Sequence, residues 1–293
     1  MEISVKELQE RIEKAYAILG DCALCPRRCR VNRLDGEVKF CGIGREAIVS
    51  SFAPHFGEEQ PLVGFHGSGT IFFAGCNLLC SFCQNYDISH GREGREFQAE
   101  QIAAMMLSLQ RLGCHNINFV TPTHVTPQIM KAILFAIENG LNIPFVYNCG
   151  GYESVETLRL LDGVIDIYMP DMKYSDSNVA EELSNAPDYP EVSRDALKEM
   201  HRQVGDLSMD KRGIAKKGLL IRHLVMPEGK AGTGDTMRFI ATEISMDSYV
   251  NVMDQYHPCY QAHRIKGLDR RITSDEYEEA ITIARKYGLY RGF

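Results

Sequence analysis

Six short β-rich runs alternate with amphipathic helical patterns from Thr70 onward, and no other feature limits the fold as much. The runs lie at residues 70–74, 116–120, 143–148, 164–169, 218–225 and 249–253. Between them, Ile102, Met105, Leu109 and Leu112 recur at helical spacing before Gly113. Thr126 is placed to cap a helix that starts at Pro127, with Ile129, Ile133 and Ile137 inward and Gly140 closing it. Thr273 and Glu276 have the spacing of a capping box for a last helix ending at Gly288. Strands that alternate with helices are joined by right-handed crossovers into a parallel sheet. Six units predict an α/β fold, a partial open (β/α)6 barrel with an N-terminal helix and a cysteine-rich extension. Chemistry in such barrels gathers at the C-terminal ends of the strands.

Cys76, Cys80 and Cys83 stand in the order C-x3-C-x2-C, just after Gly75 breaks the first run. A four-iron cubane takes one ligand per iron, usually a cysteine thiolate. Three thiolates leave one iron open to a small chelating molecule. Packed core thiols and structural zinc are the rival readings, but structural zinc takes four ligands.

Other strand ends carry polar residues. Thr121-Pro122-Thr123-His124 follows the second run, and Asn148-Cys149-Gly150-Gly151-Tyr152 follows the third, its glycines permitting close backbone approach. Asn148 is placed to meet a cofactor. Pro170-Asp171-Met172-Lys173 ends the fourth run, an acid and a base two apart on one face. The fifth run carries Arg222, whose planar fork suits a carboxylate. The bland alternatives are a surface ion pair for Asp171 and Lys173, a buried structural pair for Arg222, and hydrogen-bonded or packing roles for His124 and Cys149.

Four more thiols precede the barrel. After a helix over residues 5–19, Cys22, Cys25, Cys29 and Cys41 follow the spacing C-x2-C-x3-C-x11-C. They form a candidate second metal site, for zinc or an auxiliary iron–sulfur cluster, with Arg27, Arg28, Arg30 and Arg33 to offset its negative charge. The alternative is a set of reduced thiols on a basic docking loop. Residues 50–69, rich in Gly and Pro, read as an irregular approach loop. The expected division is therefore 1–69 for the helix, cysteine-rich segment and approach loop, and 70–293 for the barrel with its C-terminal helix.

A net charge of −7 argues against nucleic acid as a partner. The first residues form a mixed-charge amphipathic helix instead of a signal peptide, and no apolar run approaches the roughly 20 residues that span a bilayer. Ten cysteines in this setting point to metal ligands in a reducing cytoplasm.

The cysteine motif resembles that of the radical S-adenosylmethionine (SAM) superfamily. The segments GSGTIFFAGCNLLCSFCQN, NINFVTPTHVTPQ, IPFVYNCGGYE, VIDIYMPDMKYSD, APDYPEVSRDALKEMHRQVG and LLIRHLVMP look like an uncharacterised branch related to pyruvate formate-lyase activating enzymes. The resemblance implies a [4Fe–4S] cluster on Cys76, Cys80 and Cys83, with SAM chelating the fourth iron. It implies a pocket in which Phe82 lies near the adenine and Arg222 faces the methionine carboxylate. Asp171 and Lys173 match an Asp-Leu-Lys motif near cofactor and substrate, and Asn85, Thr121 and Asn148 complete the pocket. A Gly-Gly-Glu-Pro segment common in the superfamily is replaced here by Thr121-Pro122-Thr123-His124. The implied reaction is reductive cleavage of SAM to a 5′-deoxyadenosyl radical that abstracts hydrogen, with flavodoxin or ferredoxin as reductant. The implied substrate is a glycyl radical enzyme, or else another protein or a small molecule. An iron–sulfur electron carrier or a metal-stabilised adaptor is the reading from another class, but a carrier has no need of a cofactor-sized pocket at the strand ends.

Overall fold

Residues 2–293 are described in a computed structural model of the chain. Nine strands form one sheet system: β1 (Ala47–His55), β2 (Ser68–Phe73), β3 (Arg95–Phe97), β4 (Ile117–Val120), β5 (Phe145–Cys149), β6 (Ile167–Pro170), β7 (Ser208–Met209), β8 (Ala215–Leu224) and β9 (Tyr249–Met253). The pairs β2–β4, β4–β5, β5–β6, β6–β8 and β8–β9 are all parallel, giving the open partial barrel expected from the six-fold alternation.

The approach loop is a correction. Residues 47–55 form β1, antiparallel to β2, and β3 pairs antiparallel with β1 on its outer side. The sheet is thus two strands wider on that side than the reading allowed, and residues 47–55 belong to it. Pro54 is tolerated because it lies at the end of the strand, where one missing N–H costs little.

Side-chain alternation divides the strands into two layers. Phe119, Phe145, Tyr147 and Tyr168 face outward, into a core shared with Ile102, Met106, Ile129 and Ile133 of helices Ala99–Arg111 and Thr126–Glu138. Val146, Ile167, Met169 and Leu220 face the other way and pack with Leu62 and Leu207 into an apolar plug inside the barrel. Two residues further along the same face stand Asn148, Asp171 and Arg222. A polar layer therefore rests on an apolar floor.

Two helix details differ from expectation. Thr126 does not cap: its hydroxyl meets the Thr123 carbonyl at 3.2 Å and the Tyr147 hydroxyl at 3.0 Å, and Val125 holds the N-cap position. Inward contacts win over the cap because the site is fully buried. Leu112 is exposed, since it follows the last residue of its helix and has left the apolar face. The capping box of Thr273 and Glu276 forms with both of its bonds, at 3.2 and 2.8 Å.

Candidate functional site

The loop after β2 carries Cys76, Cys80 and Cys83, and each sulfur meets a hydrogen-bond partner. The Leu78 N–H lies 3.3 Å from Cys76 Sγ, and the Ser184 hydroxyl donates to Cys80 Sγ at 3.0 Å. Cys83 Sγ and the Ser89 hydroxyl are 3.2 Å apart. Such donors suit thiolates. Burial, reinforced by the neighbouring Cys80, pushes the Cys76 thiol up to about 12, so a thiolate there needs a bound cation. Among the described residues no three Cys, His, Asp or Glu side chains close on a point as one ion requires. A cluster spreads its thiolates, one to each iron.

Above this loop lies a cavity of about 390 Å³. Cys76, Cys80, Cys83, Phe82, Asn85, Thr121, Asn148, Asp171, Lys173 and Arg222 all line it. The exposed side chains of His55 and Asn85 show that it opens to solvent. Phe82 is buried, its ring 6.2 Å from those of Tyr174 and Tyr256, in an aromatic cluster beside Cys80. Gly150 and Gly151 pass close to their neighbours: a Cβ on Gly150 would stand 2.7 Å from Leu78, and one on Gly151 would stand 2.2 Å from the Asp171 carbonyl.

Thr121 follows the last residue of β4 with φ +61°, and its N–H bonds the Asn148 carbonyl at 2.9 Å. A β-branched residue in the left-handed region is strained by ~1–2 kcal/mol. The strain sits on the cavity wall.

The polar layer is a connected network. Arg222 donates from Nε to Asp171 Oδ1 at 2.8 Å, from Nη2 to Asn148 Oδ1 at 2.8 Å, and from Nη1 to Glu58 Oε1 at 3.3 Å. Lys173 Nζ bonds Asp171 Oδ2 at 2.6 Å. Burial alone would raise the Asp171 carboxyl, but the Arg222 and Lys173 cations outweigh it and hold the group below the usual carboxylate range. Burial opposes the Lys173 ammonium, yet Asp171 and Cys80 hold its pKa above the ordinary value. Most of the Arg222 fork is thus engaged by the protein's own acids, leaving the outer Nη1 edge for a ligand.

Glu58 was absent from the sequence reading. It sits on the segment between β1 and β2 and also accepts from Asn118 Nδ2 at 2.9 Å and Asn148 Nδ2 at 3.2 Å. Its one mark in the sequence is an acid pair, Glu58-Glu59, in an otherwise uncharged stretch. Glu59 accepts from Asn251 at 2.7 Å, and burial raises its pKa. Asn118, Asn148, Asp171, Arg222 and Asn251, from five neighbouring strands, thus form an arc that Glu58 and Glu59 close.

Among the described residues, no helix is long and apolar enough to cross a membrane. Of solved structures, the chain is similar to a radical SAM methyltransferase from Sphaerobacter thermophilus, with TM-score 0.50 and 13% identity over 76% of this chain and 65% of that one. It is also similar to HydG, a maturase of the [FeFe]-hydrogenase, with TM-score 0.51 and 14% identity over 99% of this chain and 63% of that one. The chain thus spans less than two thirds of either structure, and at these identities the likeness is one of fold. Two uncharacterised proteins of Methanocaldococcus jannaschii are nearer in sequence. One is 35% identical, covering 96% of this chain and 79% of its own length; the other is 25% identical, covering 82% and 71%. The sequence pattern of the Radical SAM superfamily matches residues 70–210, from β2 and the cysteine loop to the segment before β8. Residues 70–210, which carry the three cysteines and most of the cavity wall, thus form a radical SAM superfamily domain.

Proposed function

We propose that this chain holds a [4Fe–4S] cluster on Cys76, Cys80 and Cys83, binds SAM in the cavity above it, and acts on a partner protein in the manner of the pyruvate formate-lyase activating enzymes. One observation carries the reading: the three cysteines and all seven candidate pocket residues border a single cavity. When bound, the cluster and SAM supply one-electron cleavage of a sulfonium carbon–sulfur bond, and with it the power to remove a hydrogen atom.

The protein's part is to bind, orient and exclude water. Phe82 offers an apolar wall to an adenine. The outer Nη1 edge of Arg222 and the ammonium of Lys173 offer positive charge to a carboxylate. Glu58 and the Asn148 side chain offer polar partners to an ammonium or a hydroxyl. Asp171 stays ionised between its two cations and serves to fix them.

The volume argues for the macromolecular substrate. At about 390 Å³ the cavity lies at the low end of the ~300–1,000 Å³ range of ligand sites. A nucleoside-bearing cofactor fills most of it. A target presented on a protein strand, such as a glycyl residue, needs only to reach the opening. The reductant is a flavodoxin or ferredoxin, working in the cytoplasm.

The test is anaerobic. Reconstituted protein with SAM and reductant should form 5′-deoxyadenosine, and a Cys80→Ala variant should form none. Addition of a candidate glycyl radical enzyme should then give a protein-centred radical signal. Cleavage without that signal across such partners would remove the activase reading; absence of cleavage would remove the enzyme reading as well.

A further inference from the structure

Cys22, Cys25, Cys29 and Cys41 lie outside the cavity, on the far side of the loop that carries Cys76. All four border one void of about 10 Å³, together with Arg27, Arg33, Asn77 and His124. A space of that size takes about one water-sized sphere. Four thiolates on one zinc, each at ~2.3 Å, would close on the ion and leave no such gap. No three of the described Cys, His, Asp or Glu side chains do close in that way. The thiols surround a body and do not meet at a point.

The buried charge beside the void needs an anion. Arg33 is only 2% exposed. It donates to the Gly44 carbonyl at 3.1 and 3.0 Å and to the His124 carbonyl at 2.8 Å, and its Nη1 lies 4.0 Å from Cys22 Sγ. Arg27 likewise donates to carbonyls, those of Asn77 at 2.8 Å, Ser184 at 2.9 Å and Asn185. Arg27 is half-buried and also stacks over the Phe40 ring at 3.9 Å. Carbonyl dipoles do not neutralise the buried Arg33 guanidinium, and an unpaired buried charge is strongly destabilising. Neutral thiols would leave Arg33 unbalanced. Thiolates on a metal centre would balance it.

His124 gives a further sign. Its side chain is 1% exposed. Its Nε2 bonds the Ala74 carbonyl at 2.7 Å, which makes Nε2 the protonated nitrogen and leaves a lone pair on Nδ1. Nδ1 has no partner, and the ring borders the four-cysteine void. A buried ring nitrogen without a partner marks surroundings that are incomplete beside the void.

We infer that Cys22, Cys25, Cys29 and Cys41 hold a second iron–sulfur cluster in the space that the His124 ring borders. It is fully ligated by cysteine and so, unlike the barrel cluster, has no open iron for SAM.

The decisive protein is the variant Cys76→Ala, Cys80→Ala, Cys83→Ala, reconstituted anaerobically with iron and sulfide. It should keep about four irons per chain and show a reducible cluster signal in electron paramagnetic resonance. A variant with wild-type circular dichroism and no iron, or one that carries zinc in place of iron and sulfide, overturns the assignment. A second measurement avoids any folding defect. In the wild-type protein, SAM should move one cluster signal and leave another unmoved. A single signal that shifts completely also overturns it. Because the first experiment removes the barrel cluster, it is independent of the proposed activity.

Discussion

At Arg222 a single guanidinium joins strands that are distant in sequence. It is bonded to Asp171, Asn148 and Glu58, which lie 51, 74 and 164 residues away. A lysine ammonium keeps the charge but cannot reach three acceptors in one plane. Arg222→Lys should lower stability by about 2–3 kcal/mol and weaken SAM binding, with the iron content of the barrel cluster unchanged. Anaerobic urea denaturation with an iron assay measures both. Unchanged stability would mean that the network contributes nothing and that Arg222 acts on the ligand alone. The candidate residues were legible because each stands at or near a strand end, beside a motif. Glu58 was not, because its position depends on how a loop between two strands folds back over the sheet, and no local spacing encodes that.

Strand ends are where this fold departs from its local preferences. Thr121 follows β4 with a backbone suited to Gly or Asn, and it does so on the cavity wall. Asn tolerates the left-handed region. Thr121→Asn should therefore raise stability by about 1 kcal/mol while raising the dissociation constant for SAM. Thermal unfolding and equilibrium binding test the two halves, and a loss of stability would show that the hydroxyl holds the turn. The parallel strands themselves were readable from alternation. β1 was not: residues 47–55 pair with β2 as the sheet continues, yet Pro54, Gly57 and the exposed side chains of its second half resemble loop composition. An outer antiparallel strand buries too little of itself to show a strong period. Its addition means that the segment before residue 70 forms part of the barrel sheet.

Over the whole molecule, one buried acid beneath the strand ends carries a pH signature. Glu153 is 2% exposed, accepts from the Thr123 hydroxyl at 2.6 Å and from the Tyr147 hydroxyl at 3.2 Å, and is pushed by burial from 4.5 up to about 8. Between these values the folded chain holds a proton that the unfolded chain has lost. The stability that Glu153 contributes should fall as pH rises from about 5 toward 8, and it is complete below the unfolded value. Glu153→Gln cannot titrate but keeps the other buried groups, such as His124 and His223, so the advantage of the wild type over this variant should shrink across the window. Anaerobic urea midpoints at several pH values compare the two, and parallel slopes would place the proton elsewhere.

The clamp made by Arg27 also has a consequence in time. Its partners Ser184 and Asn185 stand 157 and 158 positions later in the chain. At roughly 5–20 residues per second, about 8–30 s separate the synthesis of the two ends of that contact. Until then the four early cysteines have no wall behind them and face whatever metals and oxidants surround the ribosome. The part of the chain made first is closed late, so any metal centre bound there would be completed only after synthesis of the barrel is well advanced.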